Sequence, residues 1–426
     1  MTPGSGLPFY CQNCFRDSAF LRSLSVLGHE AYKVPLYLPS THSGPAGVVD
    51  TPVFYGAINV YLKQKWPFYR QAPEWIERLL DAPVFLQMAA KKSGSTRAAG
   101  LEELTLSMLR GEEGRQASEL EHLIRHLKNE VKPDVVHLSN ALLLGLARRL
   151  RSDLGAGVVC SLQDENEWVD LMEPSYQSLV WELMSEKAAD VDAFVTASRF
   201  YARQSQVRLA IPPAKINVLY GGIDFSGYEQ SPLPFDPPVL GYLCRMSEYF
   251  GLGILVEAFL ELKTSGPFKD LKLHLTGGGS SDDKSFIQAQ MAKIAARGFA
   301  PDVRIFKDFD KASRIAFLKT LTLLSVPVPG GEAFGAYQVE ALAAGVPVVE
   351  PNVGCYPEFA ETTRGGLIYE PNTGPELAKA VASLLTDPGR IRTMGEQGHR
   401  VVLERFSMER MAKDIAEIYG NVARNH

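Results

Sequence analysis

The chain has 426 residues, 46% of them apolar and 22% charged, with a formal net charge of −5. That length exceeds one ordinary core and predicts a two-domain globular protein, while the acidic balance argues against a nucleic-acid partner. No apolar run is long enough to cross a bilayer, the opening residues lack a signal-peptide pattern, and five cysteines make no disulfide scaffold, so a cytoplasmic protein is expected.

The chain opens Met1-Thr-Pro-Gly4-Ser-Gly6, a turn of the phosphate-loop kind in which Gly4 and Gly6 would approach phosphates or an acceptor. No strand precedes it, although in a doubly wound sheet the first strand is central and feeds such a loop. The expectation is therefore that Met1 lies downstream of the true start. Cys11-Gln-Asn-Cys14 follows, either a redox pair at a helix start or plain packing. A zinc site is not expected, because no second cysteine or histidine cluster lies within sequence reach.

Short β-branched runs then alternate with amphipathic helical stretches, the pattern of parallel α/β layers. Strands are predicted near Ala31–Leu38, Val53–Tyr61, Asp134–Leu138, Gly157–Leu162, Ala193–Thr196 and Ile216–Leu219. Residues 63–130 form a long helical insertion rich in Trp66, Phe68, Tyr69 and Trp75 with basic neighbours. It reads as a wall capping a cleft, with contact to a membrane surface as the alternative. Within it His122 and His126 share a helical face but have no third metal ligand, so a solvated face is the plainer reading.

Four prolines in Ser231–Pro238 predict a linker, dividing the chain into domains 1–230 and 239–405 with a closing segment 406–426. Strands follow at Val239–Leu243, Leu271–Thr276, Val303–Phe306, Leu321–Val326 and Val346–Val349. A last helix runs from about Met408 to Arg424, with Ser407 as its N-cap.

The stretch Val326-Pro-Val-Pro-Gly-Gly-Glu332 to Glu340-Ala-Leu-Ala-Ala-Gly345-Val-Pro347 carries the most chemistry. A buried strand runs into a Pro/Gly loop, then come two glutamates eight positions apart. Glu340 is expected to start an Ala-rich helix that Gly345 and Pro347 end. Helix N-terminal N–H groups favour an anion, and carboxylates can grip vicinal diols. The expected ligand is a sugar joined to phosphate.

Together, the two Rossmann-like halves, the Glu-x7-Glu pattern and the returning C-terminal helix resemble the GT-B glycosyltransferases, above all the retaining enzymes of family 4. The resemblance covers most of the chain and is strongest from Val239 to Phe406. Gly241-Tyr-Leu-Cys-Arg245, Leu273–Gly279, Val346–Gly354, Pro357-Glu358, Gly366-Leu-Ile and Leu403–Phe406 look like the family's second half. Leu27-Gly-His-Glu30 and Ala193–Arg199 look like its first. The fold implied is an α/β protein with two Rossmann-like domains facing across a cleft, the C-terminal helix crossing back to the first.

The function implied is transfer of a hexose-type sugar from a nucleoside-diphosphate sugar to a saccharide, lipid or small-molecule acceptor, with retention and without a cofactor or metal. Glu332 would bond the donor sugar, Glu340 the ribose, and the amides around Phe334, Gly335 and Ala336 the sugar and phosphate. Arg245 would face the diphosphate. In the mechanism often assigned to these relatives, the departing phosphate takes the acceptor's proton.

Two departures stand out. The family usually carries a lysine five positions after the arginine, where this chain has Phe250; Lys307 or Lys311 could substitute. Many relatives also have a histidine where this chain has Gln163. Beside it Asp164 or Glu165 could orient an acceptor, together with Asn140 and Arg199, or could simply be helix N-terminal charges. A weak or inactive sugar-nucleotide binder therefore stays open. An epimerase is a third possibility, against which the missing histidine argues.

Overall fold

The computed structural model describes residues 1–2, 12–37, 49–50, 54–55, 100–265 and 267–426. The expected strand at Val53–Tyr61 and the aromatic stretch 63–99 lie largely outside these residues. Gly4, Gly6, Cys11 and the Cys14 side chain lie wholly outside them.

The described residues divide into two compact units. One runs from Asp17 to Leu219 and includes Met411–His426; the other runs from Tyr220 to Arg410. The division thus falls before the proline-rich segment expected to be the linker. The prolines lie between the strands Ile216–Val218 and Val239–Leu243 without regular structure, and the segment is bound to the second unit. The Thr322 hydroxyl donates to the Pro234 carbonyl, and Arg392 lies 4.7 Å over the Phe235 ring. A proline-rich chain cannot extend a ladder, yet it can still bury its rings and carbonyls against a neighbour.

In the first unit, β1 (Tyr32–Lys33) pairs in parallel with β2 (Val49–Asp50). A four-stranded parallel sheet follows in the order β3 (Val135–Leu138), β4 (Gly157–Leu162), β5 (Ala193–Thr196) and β6 (Ile216–Val218). Strand β4 is buried along almost its whole length, as expected where both faces of a parallel sheet are covered. Met1 and Thr2 pair on both sides. Thr2 N–H donates to Val34 at 3.0 Å, the Met1 amine to the His137 carbonyl at 2.6 Å, and Ser139 N–H to the Met1 carbonyl at 3.1 Å.

The closing helix (Met408–Ala423) is capped by the Ser407 hydroxyl, which accepts from Arg410 N–H at 3.2 Å. Its apolar stripe, Ala412, Ile415, Ile418 and Val422, packs on Val159, Ala193 and Val195. Ile415 is fully buried. Ile415→Ala is expected to cost about 2–5 kcal/mol, read as a lower midpoint in urea unfolding.

The second unit carries a six-stranded parallel sheet. Its order is β12 (Gly366–Tyr369), β11 (Val348–Pro351), β10 (Leu323–Leu324), β7 (Val239–Leu243), β8 (Lys272–Thr276) and β9 (Val303–Ile305). Three details differ from expectation: β10 covers only Leu323–Leu324 of the expected Leu321–Val326, and the other two lie at β11 and β12. Strand β11 lies two residues later than Val346–Val349, and β12 was not anticipated as a strand. Gly366-Leu-Ile-Tyr is short, and only its pairing with β11 makes it extended. Among the described residues, no helix is long and apolar enough to cross a membrane.

Candidate functional site

In the second unit, β10 ends at Leu324 and the chain peels away from the sheet. Ser325 N–H still donates to the Gly241 carbonyl of β7 at 3.0 Å, but Val326 N–H is taken by the side chain of Glu350, 3.2 Å from both carboxyl oxygens. The loop that follows is held at each step. Asn372 donates to the carbonyls of Pro327 and Val328, at 3.2 and 3.3 Å, and Cys355 N–H donates to the Glu332 carbonyl at 3.1 Å. At Gly335 the chain adopts a left-handed φ of +67° and turns into the Ala336–Ala343 helix, all eight residues of which are buried. Glu340 therefore sits in the second turn of this helix rather than at its start. The apolar run extends one turn earlier than the Ala-rich segment suggested, because Gly335 supplies the turn.

Glu332 is 5% exposed. Its Oε2 accepts from the Tyr337 hydroxyl at 2.5 Å and from the Tyr356 hydroxyl at 3.2 Å, and the two phenols are 2.8 Å apart. Two charge-assisted donors fix the carboxylate's orientation in a dry setting. Phe334 contributes its backbone here, since its ring stacks with Phe406 at 6.3 Å and lies against Gly221. Its carbonyl accepts from the Cys355 thiol at 3.2 Å.

Glu340 is 3% exposed, and its Oε2 accepts from Arg314 Nε at 2.7 Å and from the Tyr228 hydroxyl at 2.5 Å. Burial raises the Tyr228 phenol, and the adjacent Glu340 charge raises it further.

The loops after β7 and β8 meet. Gly277, at φ +120°, lies so close to the Cys244 carbonyl that a side chain there would overlap it, and Met246 N–H donates to the Gly278 carbonyl at 2.7 Å. This contact brings Ser280 and Asp283 to Arg245. The guanidinium bonds Asp283 through Nε at 2.8 Å and Nη2 at 3.2 Å, and Ser280 at 3.1 Å. Burial alone would raise the Asp283 carboxyl, but Arg245 and Ser280 outweigh it and hold it below the usual carboxylate range. The arginine expected to face a diphosphate thus already carries a fork-shaped bond to an internal carboxylate.

Phe250 is buried edge-on against Tyr249 at 5.1 Å, and Gly251 abuts the Pro327 carbonyl. The position where the family keeps a lysine is therefore beside the Glu332 loop but apolar. Of the two suggested substitutes, Lys307 is exposed, and Lys311 pairs with Asp224 at 2.8 Å and Ser226 at 2.7 Å. Tyr242 sits at the centre of this region. Burial pushes its phenol up, and Cys244, Glu332, Asp283 and Glu350 push the same way.

In the first unit, Glu165 points inward rather than toward a ligand. It is 3% exposed and accepts from Ala141 N–H at 2.8 Å, Tyr201 at 2.7 Å and Gln163 N–H at 3.0 Å. Burial raises its carboxyl, and those three bonds only partly offset this. The Gln163 amide donates to the Ser139 carbonyl, and Asn140 caps a 3-10 turn through Leu142 N–H at 3.1 Å. Glu165 thus ties the loops after β3 and β4 to the Arg199–Leu209 helix, a structural role that its place next to a strand end did not reveal. Asp164 has a left-handed φ of +55°, and Arg199 is exposed at the first turn of that helix. His126 pairs with Glu130 at 3.2 Å and contacts Phe54 instead of forming a ligand pair with the exposed His122.

Comparison with known families places a match on each unit. Residues 98–226 match the model described as Glycosyltransferase Family 4, and residues 237–387 match Glycosyl transferases group 1. The chain belongs to the group 1 glycosyltransferases. It is 26% identical over 216 residues to a D-inositol 3-phosphate glycosyltransferase of Rhodococcus jostii, covering 49% of this chain and 47% of that protein. To the Segniliparus rotundus enzyme of that name it is 29% identical, covering 59% and 56%. The chain thus spans about half the length of these curated relatives. An alpha-maltose-1-phosphate synthase of Mycolicibacterium smegmatis is 27% identical, covering 70% of this chain and 81% of the relative.

Among solved structures, a glycosyltransferase from Rickettsia africae superposes with a TM-score of 0.65 at 16% identity, covering 100% of this chain and 98% of that one. Anabaena HepE, solved with UDP and glucose, gives 0.60 at 19% identity, covering 71% and 81%. These neighbours share the GT-B fold.

Sequence reasoning missed four members of this glycosyltransferase's second unit: Arg314, Asp283, Tyr228 and Glu350. For two of them a signal was present. Arg314 shares the buried stripe of its helix with Phe317 and Leu318, and Glu350 interrupts the apolar run Val346–Pro351. A charge at a core position calls for a partner. Nothing in the sequence marked the other two.

Proposed function

We propose that this glycosyltransferase moves a hexose-type sugar from a nucleoside-diphosphate sugar to an acceptor hydroxyl with retention of configuration. The observation that carries this reading is Glu332, a buried carboxylate aimed by two phenols just ahead of a helix N-terminus. That arrangement suits a ligand presenting hydroxyls at one end and phosphate at the other.

Glu332 would accept from donor-sugar hydroxyls. Glu340, braced by Arg314, would accept from the ribose, and the amides near Gly335 and Ala336 would meet phosphate oxygens. As the anomeric carbon–oxygen bond to phosphate breaks, Arg245 would stabilise the charge on the leaving diphosphate. The acceptor oxygen bonds the same carbon on the same face, and its proton passes to the departing phosphate. In this reading the protein positions groups and stabilises charge, with no metal ion required. Relatives named for inositol 3-phosphate and a structural neighbour solved with UDP and glucose support the substrate class.

A thermal-shift screen with UDP-, GDP- and ADP-sugars tests it. One base should raise Tm measurably, since a ligand at 100 times its Kd adds about 2.7 kcal/mol. Nucleoside diphosphate should then be released when an acceptor sugar is supplied. No shift with any of the three would remove the reading. The Arg245–Asp283 pair and Phe250 favour a second one, a sugar-nucleotide binder that shifts in the screen and releases nothing.

A further inference from the structure

Glu350 is fully buried in β11 and takes no part in the chemistry above. It stands where the sheet opens. Leu324 pairs with Val348, and two residues further along, the Val326 N–H that would continue the ladder turns to the Glu350 side chain. The loop beginning at Val326 ends at Glu332, and Asn372, itself held by the Tyr369 hydroxyl at 2.8 Å, grips its middle. We infer that Glu350 is a positioning residue that anchors the 326–332 loop and thereby sets the place of Glu332. This rests on the reading of Glu332 given above only for its catalytic consequence; the anchoring stands on geometry.

The two carboxyls are held by different kinds of donor. Glu332 receives two phenolic hydroxyls, whereas Glu350 receives one amide shared between both oxygens, and among the described residues no cation bonds it. The groups facing Glu350 are Glu332, Tyr242 on β7, Tyr337 and Tyr356 on the helices, and Tyr369 on β12. A second negative charge here would be desolvated and would repel Glu332, so the fold disfavours the ionised form of Glu350. Burial, first, and then Glu332 push its carboxyl well above the ordinary range.

The sign of the pH effect follows. Because its carboxyl is pushed up on folding, Glu350 lowers stability progressively as pH rises above the unfolded value of about 4.3. Glu350→Gln removes this loss while its amide carbonyl still accepts from Val326.

Three variants, Glu350→Gln, Glu350→Ala and Glu332→Ala, are compared with the parent by hydrogen exchange at Val326, melting from pH 4.5 to 8, and transfer assays. Glu350→Ala should speed exchange at Val326 and its loop by at least about tenfold, while Glu350→Gln stays within about twofold. The Tm of Glu350→Gln relative to the parent should rise with pH. Transfer should fall about tenfold in Glu350→Ala and be largely preserved in Glu350→Gln. Unchanged exchange in Glu350→Ala, or a Tm difference that does not change with pH, overturns the inference. If Glu332→Ala leaves transfer intact while the exchange and melting results hold, it is the catalytic reading of Glu332 that fails and the anchor that stands.

Discussion

Replacing Arg314 by leucine is expected to lower the Tm of the second unit by roughly 6–20 °C, the equivalent of about 3–5 kcal/mol. Arg314 and Glu340 are both at most 5% exposed, and their 2.7 Å bond is made in a setting from which water is largely excluded. Removing the guanidinium takes from the Glu340 carboxylate its 2.7 Å cationic donor, and also frees the Phe309 carbonyl that Arg314 serves at 2.9 Å. An uncompensated buried charge is costly, whereas losing both members together need not be. The double variant Arg314→Leu/Glu340→Leu should therefore recover most of the loss. Differential scanning calorimetry of the two single variants and the double decides the matter. A double variant as unstable as the sum of the singles would mean the pair is not coupled as the geometry indicates. Because Glu340 is also proposed to hold a ribose, Arg314→Leu should weaken nucleotide binding at temperatures where it remains folded.

Glu332→Gln is expected to reduce transfer by about 10²–10³-fold while shifting Tm by only a few degrees. The amide keeps a carbonyl oxygen for Tyr337 and Tyr356, so the buried phenols still have an acceptor. What it lacks is charge. Two charge-assisted hydroxyl bonds of about 1.5–3 kcal/mol each, weakened to neutral ones, correspond to that range of rates. Initial rates of nucleoside diphosphate release, measured alongside the melting curve, separate the two effects. A variant that melts normally and transfers at the parental rate would take Glu332 out of the mechanism. Tyr337→Phe serves as the companion measurement. It leaves the ring in the core and removes one donor to Glu332, so a smaller loss in rate is expected, about tenfold.

Arg245 presents a quantitative question of its own. Its Nε and Nη2 are bonded to Asp283 in the same forked geometry that a phosphate would use. Asp283→Asn should loosen that grip while leaving an acceptor for Ser280 N–H, which bonds the carboxyl at 2.7 Å. If Asp283 competes with the donor diphosphate, this variant should bind UDP, GDP or ADP several-fold more tightly in isothermal titration. Weaker binding would show instead that the carboxylate aims Arg245 at its ligand.

Much of the architecture could be read locally. Strands β4 and β7 were anticipated to the residue, because an apolar run bounded by turn residues is its own signal. The Ser407 cap and the glycines around Glu332 were legible for the same reason: cap and turn chemistry act within a few residues. Strand β12 was missed since four residues of Gly-Leu-Ile-Tyr have little identity without the β11 ladder beside them. The proline-rich segment was misjudged because proline reports where an element stops and says nothing about what the chain then packs against.

The partners that define the site lie at another level. Glu340 meets Arg314 from 26 residues away and Tyr228 from 112, and Arg245 meets Asp283 across 38. In a parallel sheet, neighbouring strands are joined by long crossovers, so which loops come together at their ends depends on strand order and register. Local periodicity records neither. The residue chemistry announced two carboxylates before and within a helix, along with the glycines that turn the chain between them. Only packing decided that Glu332 is aimed by tyrosines, that Glu340 is neutralised by an arginine, that Glu165 is consumed inside its own unit, and that Glu350 turns to the Val326 amide. Desolvation makes each of these pairings obligatory, and desolvation is a property of the folded neighbourhood rather than of the residue.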